Sequence, residues 1–508
     1  MYTFDLAHKR AGLSPDKTAL VDATSGRRLT YRELDHRASR LARALQDTFG
    51  LAAGDRVAIL CQHSLEFYEA LFACAKAELV LVPLNWRLAA SEQIYVLGDA
   101  QPRLFIYDSA FEAQAQAIAS QVAGLMSLAI GAVGGGDPLY QDVLARASAE
   151  PVVMRERPLD DLWYIIYTSG TTGRPKGVLQ TFAMALVNHL NIGLPSALTQ
   201  DDVTLNVLPQ FHVGGINLYT LPTLIAGGTA YLQRTFDPAV ALDLLSTEVS
   251  VFFGVPAIYA ALLQHPAYDP VRLRRVRVFA SGGAPMPPSL ILQFAADGLE
   301  IQQGFGMTET GPTVFLMDRA NAVRKAGSVG RAQLFVSVRV ADRAGQDVPP
   351  GASGELLIKG PGVTPGYWGR PDLTREAFTP DGWLHTGDVA RCDDEGYYYI
   401  VDRWKDMFIS GGENVYPAEV EAVLYEHPGV AEAAVVGVPD ERWGEVGRAF
   451  VVAKPGAVLD DAAELTRFCH ERLARFKVPR DVVFVDALPR NAGGKVLKRL
   501  LNDHEPRA

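Results

Sequence analysis

Three short, almost wholly apolar runs limit the fold more than anything else in this sequence: RVAILC at 56–61, LVLVPL at 79–84 and RLFIYD at 103–108. Each is too short for an ordinary helix and lacks the polar alternation of a strand wetted on one face, so each reads as a strand buried on both faces. The first two are separated by SLEFYEALFACAKA, which is apolar at helical spacing. Just upstream, Thr30 to Glu33 (TYRE) reads as a capping box, and Leu34, Ala38, Leu41, Ala42 and Leu45 continue the helical period. Strand and helix patterns in alternation predict a doubly wound α/β layer around a parallel sheet. At 508 residues the chain exceeds what one core can serve, and about three folding units are expected.

From about residue 330 the texture changes to short strands between Gly/Pro turns (VPPGASGELLIKGPG, then EGYYYIVDR), which predicts a β-barrel-like or antiparallel segment. After Arg403 it changes again. PAEVEAVLYEH and AAELTRFCHERLARF read as helices, and VAEAAVVGV, RAFVVAK and DVVFVD as strands, together a small α+β unit. The expected division is a large N-terminal domain, 1–403, and a small mobile C-terminal domain, 404–508. A net charge of −10 argues against a nucleic-acid footprint, since neutralising phosphates needs concentrated Lys and Arg. Cys61, Cys74, Cys392 and Cys469 form no CxxC pair and indicate neither a disulfide framework nor a zinc site. The N-terminal MYTFDLAHKR lacks the apolar stretch of a signal peptide, and no run approaches about 18 apolar residues. A cytoplasmic location and no integral membrane segment are expected.

The segment richest in chemistry is YTSGTTGRPKGV, Tyr167 to Val178, which follows the strand-like LWYII. Gly170, Gly173 and Gly177 loosen the backbone so that its N–H groups can wrap phosphate oxygens. Thr168, Ser169, Thr171 and Thr172 add hydroxyls, and Lys176 adds a positive charge. The string reads as a triphosphate cradle. It is not a Walker A loop, in which Gly-Lys-Ser/Thr would be required; here the lysine follows a proline.

This string resembles the phosphate-binding signature of the adenylate-forming superfamily, which includes acyl- and aryl-CoA synthetases, carrier-protein adenylation domains and beetle luciferases. Further motifs resemble that family in order along the chain, closest in appearance to feruloyl-CoA synthetases and medium- or long-chain acyl-CoA synthetases. The resemblance implies ATP, magnesium and coenzyme A as cofactors and a small carboxylic acid as substrate. SGGAPMP (281–287) and QQGFGMTET (302–310) stand where the family forms its nucleotide pocket. Gly283 and Ala284 would admit adenine, Phe305 would stack on it in place of the usual tyrosine, and Gly306 and Met307 would flank it. Thr308 would lie near the phosphates, and Glu309 would hold the magnesium. Asp388 in LHTGDVA and Arg403 in VDRWKD match the residues that reach the ribose.

Lys495 in PRNAGGKVLKRLL resembles the family's catalytic lysine, and Lys498 and Arg499 are expected to be solvated neighbours. Adenylation sets an anionic carboxylate against an anionic α-phosphate, so a cation between them lowers the barrier. The hinge between two half-reactions maps to Lys405. Gly411 and Gly412 in ISGGENVYP would line the pantetheine path, while Arg87, Trp443, Phe476, Lys477 and Arg480 resemble contacts to the CoA nucleotide. His212, in LPQFHVGGINLYT, resembles the residue at the mouth of the acyl site. Val213, Gly214, Gly215, Phe253, Gly254, Val255, Gly304 and Met307 would be its small, apolar walls. Dicarboxylate users carry an arginine where this chain has Gln303 and Gly304, so malonate is disfavoured. A hydroxycinnamate-type acid ranks ahead of a medium- or long-chain fatty acid. Adenylation for a separate carrier protein, a luciferase-like oxygenase and a non-catalytic acyl-AMP-binding regulator remain alternatives, and a homodimer stays open.

Overall fold

The computed structural model describes residues 2–169, 175–403, 406–410, 413–440, 442–457, 459, 461–490 and 496–501. The three apolar runs form strands Arg56–Leu60, Val80–Pro83 and Leu104–Asp108, side by side in one six-stranded sheet. All three pair in parallel, as full burial requires. The sheet departs from the expected all-parallel order at one edge, where Pro175–Thr181 folds back antiparallel on Leu162–Ser169. The phosphate motif is therefore a β-hairpin rather than a loop that follows a strand. Tyr167, Thr168, Lys176, Gly177 and Val178 are paired strand residues, and only 170–174 fall outside the description.

A second sheet has nine strands. Its parallel centre runs Ile301–Gly306, Val278–Ser281, Val251–Gly254, Val203–Asn206, Thr229–Leu232 and Thr18–Asp22, with antiparallel strands at both edges. The long helix Tyr31–Arg43 starts at Thr30, whose side chain accepts from Glu33 N while Glu33 answers to Thr30 N, the expected capping box. The texture change near 330 resolves into a four-stranded antiparallel meander, Ser337–Ala341, Ser353–Lys359, Leu384–Cys392 and Tyr398–Arg403. The last unit packs helices Pro417–Tyr425 and Ala462–His470 on a mixed sheet centred on Gly444–Ala453. Its core is the cluster around Phe408, Val420, Leu424, Val451 and Leu465. No helix among the described residues is long and apolar enough to cross a membrane.

One buried cation ties the chain's start to the first sheet's helical layer. Lys76 Nζ lies 2.7 Å from Asp5 Oδ2, 2.7 Å from Asp35 Oδ1 and 2.7 Å from the Val152 carbonyl, and its side chain is 1% exposed. Asp5 also caps helix Leu6–Leu13 and accepts from Met154 N. Lys76→Met strands two buried carboxylates without their counter-charge, and a loss of about 3 kcal/mol is expected. Urea unfolding followed by circular dichroism measures it.

Candidate active site

In parallel sheets ligands gather at the carboxyl ends of the strands, and the second sheet carries its motif residues at those ends. Val278–Ser281 runs into Gly282 and Gly283, Ile301–Gly306 into Met307–Thr310, and Val251–Gly254 ends beside them. Gly283 has φ +77°, which a glycine adopts at no steric cost, and Gly283 and Ala284 stand exposed above the strand ends. At Gly306 a Cβ would fall 1.7 Å from the Pro312 carbonyl oxygen, so the hairpin into the TET turn closes only around a glycine there.

The TET turn is held from several sides. Gln180 Nε2 donates to the Thr308 carbonyl at 2.9 Å, Thr364 N to the Glu309 carbonyl at 2.8 Å, and Asn217 Nδ2 to the Gly311 carbonyl at 2.9 Å. The hairpin of the first sheet reaches this turn through side chains. Lys176 Nζ lies 3.1 Å from Glu309 Oε1 and donates to Tyr367 Oη at 2.5 Å, and Tyr367 Oη donates to Glu309 Oε1 at 3.1 Å. Glu309 is 6% exposed. Burial, with the Glu309 carboxylate beside it, pushes the Tyr367 phenol far above its usual range, so the phenol keeps its proton. Tyr367 was missed in the sequence. Its segment, PGYWGRP, lies between two glycine turns and bridges Val178 of the hairpin, but nothing local marks that pairing.

Asp388 and Arg403 are Cα partners across the antiparallel meander, with Arg403 Nε 3.3 Å from Asp388 Oδ1. Asp388 is buried and Arg403 half-exposed, which leaves a carboxylate and a fork of donors at one place. Phe305 packs, partly exposed, on the cluster of Phe315, Ile358 and Ala390 shared by the two sheets, its ring 6.0 Å from that of Phe315.

His212 follows the strand Val203–Asn206, with its ring 4.6 Å from that of Phe211. Burial first, and Arg87 second, pull its pKa down to about 4, so the imidazole is neutral at pH 7. Its Nε2 is buried and finds no partner among the described residues. Arg87 stacks over Trp86 at 5.0 Å and Phe211 at 6.0 Å. Val213 and Phe253 are buried near these strand ends, and the Phe253 ring comes within 3.2 Å of where a Gly282 Cβ would sit. Three expected pocket glycines serve packing first. A Cβ at Gly215 would lie 2.1 Å from the Pro209 oxygen, at Gly304 2.9 Å from the Phe315 oxygen, and at Gly254 3.1 Å from Ile258 Cγ2. Gly214 opens the turn after Val213, and Met307 is partly exposed beside Thr308.

On the C-terminal unit Trp443 is exposed in the turn after Val430–Asp440, Phe476 packs against the cluster of Val420 and Val451, and Arg480 pairs with Asp440. Lys477 Nζ lies 2.6 and 2.8 Å from the two Glu419 oxygens. Lys498 overturns its expectation: it is paired with Glu421 at 2.7 Å, and both side chains are only 17% exposed. Gly170, Thr171, Thr172, Gly173, Lys405, Gly411, Gly412 and Lys495 lie outside the described residues, as does the side chain of Ser169.

The donor set fits a magnesium nucleotide. Among the described residues no three His, Cys, Asp or Glu side chains gather to cage a metal. One buried carboxylate, Glu309, stands beside Lys176, with Thr168 Oγ1 nearby on the hairpin, buried and without a partner among the described residues. Magnesium bound through one carboxylate and substrate phosphates needs no more protein oxygen than that.

The chain belongs to the AMP-binding enzyme family: that family matches residues 7–368, and its C-terminal domain matches residues 419–495. It is 43% identical to a feruloyl-CoA synthase of an Amycolatopsis species over 492 residues, 96% of each chain. It is 40% identical to the long-chain-fatty-acid–CoA ligase FadD13 of Mycobacterium tuberculosis, over 98% of this chain and 97% of the other. The solved structure of O-succinylbenzoate coenzyme A synthetase (MenE) from Bacillus subtilis with ATP and magnesium superposes with a TM-score of 0.88. It shares 32% identity, over 99% of this chain and 100% of that one.

Tyr367→Phe removes the hydroxyl that joins Lys176 to Glu309. A hydrogen bond to a charged group is worth about 1.5 kcal/mol, so kcat/KM for ATP is expected to fall about tenfold, measured by pyrophosphate exchange at varied ATP. The two neutral histidines predict an acid response. His63, pulled down to about 4 by burial, and His212 both ionise less readily than the free value of 6.5. The unfolded chain therefore binds more protons, and stability falls as pH drops from about 6.5 to 4. Urea midpoints across that window test it, and His63→Gln should flatten the slope.

Proposed function

We propose that this acid–thiol ligase activates a hydroxycinnamate-type aryl acid with ATP and transfers it to coenzyme A. A substrate carboxylate oxygen bonds to the α-phosphorus as the α–β phosphoanhydride bond breaks, giving acyl-AMP and pyrophosphate. The CoA thiolate then bonds to the acyl carbon as AMP leaves with the oxygen. A carboxylate is a poor electrophile, and the mixed anhydride supplies the leaving group. Lys176 and Tyr367 orient the phosphates. Glu309, with the nucleotide's own phosphates, would hold a magnesium ion, which would supply charge neutralisation there. Asp388 and Arg403 take the ribose, and Lys495 is assigned the cation between carboxylate and α-phosphate. The division at 403/404, with its hinge at Lys405, lets the smaller unit serve the two steps in turn.

The observation that carries the choice of acid is Gln303. It is 4% exposed on the strand that leads into Gly304 and Met307, and its Oε1 has no partner among the described residues. A buried acceptor calls for a donor, which a phenolic hydroxyl supplies and an alkyl tail does not. The proposed walls around His212 carry no fixed charge, so a second carboxylate would be buried unpaired. The similarity to the feruloyl-CoA synthase agrees with this choice. The similarity to FadD13 favours the second reading, a long-chain acid.

The test is thioester formation, followed by mass spectrometry, from ferulate, cinnamate, octanoate, palmitate and malonate with ATP, magnesium and CoA. Feruloyl-CoA is expected to dominate. Gln303→Leu should cut ferulate kcat/KM about tenfold relative to cinnamate, which lacks the hydroxyl. Palmitoyl-CoA as the main product moves the assignment to the second reading, and acyl-AMP without thioester moves it to a carrier-protein acceptor.

A further inference from the structure

The described residues on either side of Lys495 are tied to each other. Arg490 and Val496 form an isolated antiparallel bridge, and Leu497 N donates to the Pro489 carbonyl at 2.7 Å. Arg490 Nη2 lies 2.9 Å from Glu432 Oε2. Beyond the bridge Leu501 is buried with Val436, Phe450 and Leu488. Between these apolar and backbone anchors sits Lys498, a cation taken largely out of water, with its Nζ 2.7 Å from Glu421 Oε1.

Glu421 stands on helix Pro417–Tyr425 and also accepts from Val435 N at 2.7 Å, so its carboxylate is fixed before the lysine is counted. The N-terminus of the same helix is held by Asp402. Asp402 Oδ2 accepts from Ala418 N at 2.8 Å, where the helix's free N–H groups favour negative charge. Asp402 belongs to Tyr398–Arg403, the strand that ends in the proposed ribose-binding Arg403. Burial works against charge on Lys498, and the carboxylates of Glu421, Asp402 and Asp406 more than offset it. The geometric link from the lysine to the strand before the hinge therefore runs through the helix: Lys498 pairs with Glu421, and the same helix's first turn is bonded to Asp402.

We propose that Lys498, paired with Glu421 beside Asp402, is a positioning residue that latches the Lys495 segment to the hinge strand for acid adenylation. The latch ties the segment to the strand that bears Arg403. The second half-reaction forms its bond at the acyl carbon and not at phosphorus, so the cation assigned to Lys495, and the latch that places it, serve only the first. This inference rests on the proposed two-step ligase reading.

The test uses the full chain, with whichever acid the wild type activates, and separates the half-reactions. Acyl-AMP formation is measured in single turnovers with ATP. Thioester formation is measured with CoA and supplied acyl-adenylate. Lys498→Met and the shape-conserving Glu421→Gln are each expected to slow acyl-AMP formation at least about tenfold in kcat, with the KM for ATP unchanged and thioester formation within about twofold of wild type. Lys498→Arg should restore most of the first rate. Equal losses in both half-reactions, or no loss in either, overturn the latch. A wild type that forms thioester from supplied acyl-adenylate but no acyl-AMP from any acid overturns the functional reading, and the latch with it.

Discussion

The two sheets are tied together at one place by opposite charges and a shared phenol: Lys176, Tyr367 and Glu309 in mutual contact where they meet. Lys176 arrives on an edge strand of the first sheet, Glu309 on the turn that follows a strand of the second, and Tyr367 on the connection between the second and third strands of the antiparallel meander. Two of the three are charged and largely removed from water, which costs free energy unless each finds the other. The contact therefore gives the layers a fixed mutual register at the place where polyphosphate is expected. A site assembled from three separate elements is only as rigid as their packing, and here hydrogen bonds from the Gln180 and Asn217 side chains and the Thr364 N–H to backbone carbonyls hold the central turn.

The same economy is visible at the other charged places. Asp388 and Arg403 face each other across a ladder, so their separation is set by strand spacing rather than by side-chain freedom. Lys498 meets Glu421 only because Leu501 and Leu497 pin the chain on either side of it. In each case an ion pair is placed by structure that would exist without it. The pairs then orient groups more than they stabilise the fold.

How much of this could be read from the chain depends on the range of the signal. The apolar runs at 56–61, 79–84 and 103–108 became buried parallel strands because burial on both faces is written into each run by itself. The capping box at Thr30 is local and was equally legible. The motif residues around Glu309 and Asp388 were found because whole strings resembled a family, and the structure sets Glu309 against Lys176 and Asp388 against Arg403. What stayed hidden was pairing across distance. The phosphate motif read as a loop from its glycines, yet most of it is strand, and Gly177 is there for the close packing of Ile165 and Trp368 rather than for looseness. Tyr367 carries no signal of its own, and Lys498 looked like one more surface lysine in a basic tail. Burial of a charge is a property of its partners, and Glu421 lies far away in sequence.

The second sheet has a consequence for how the chain reaches its shape. Its strand Thr18–Asp22 lies between Arg28–Thr30 and Thr229–Leu232, with Leu20 opposite Ala230. On a ribosome the apolar TALVD segment emerges long before its partner is made, and at about 5–20 residues per second the wait is on the order of tens of seconds. During that time Ala19, Leu20 and Val21, all buried in the finished protein, have only the short hairpin partner Arg28–Thr30 and keep one strand edge open. The Thr18–Asp22 strand is thus made long before its second neighbour can cover it, and chaperone dependence would be concentrated there.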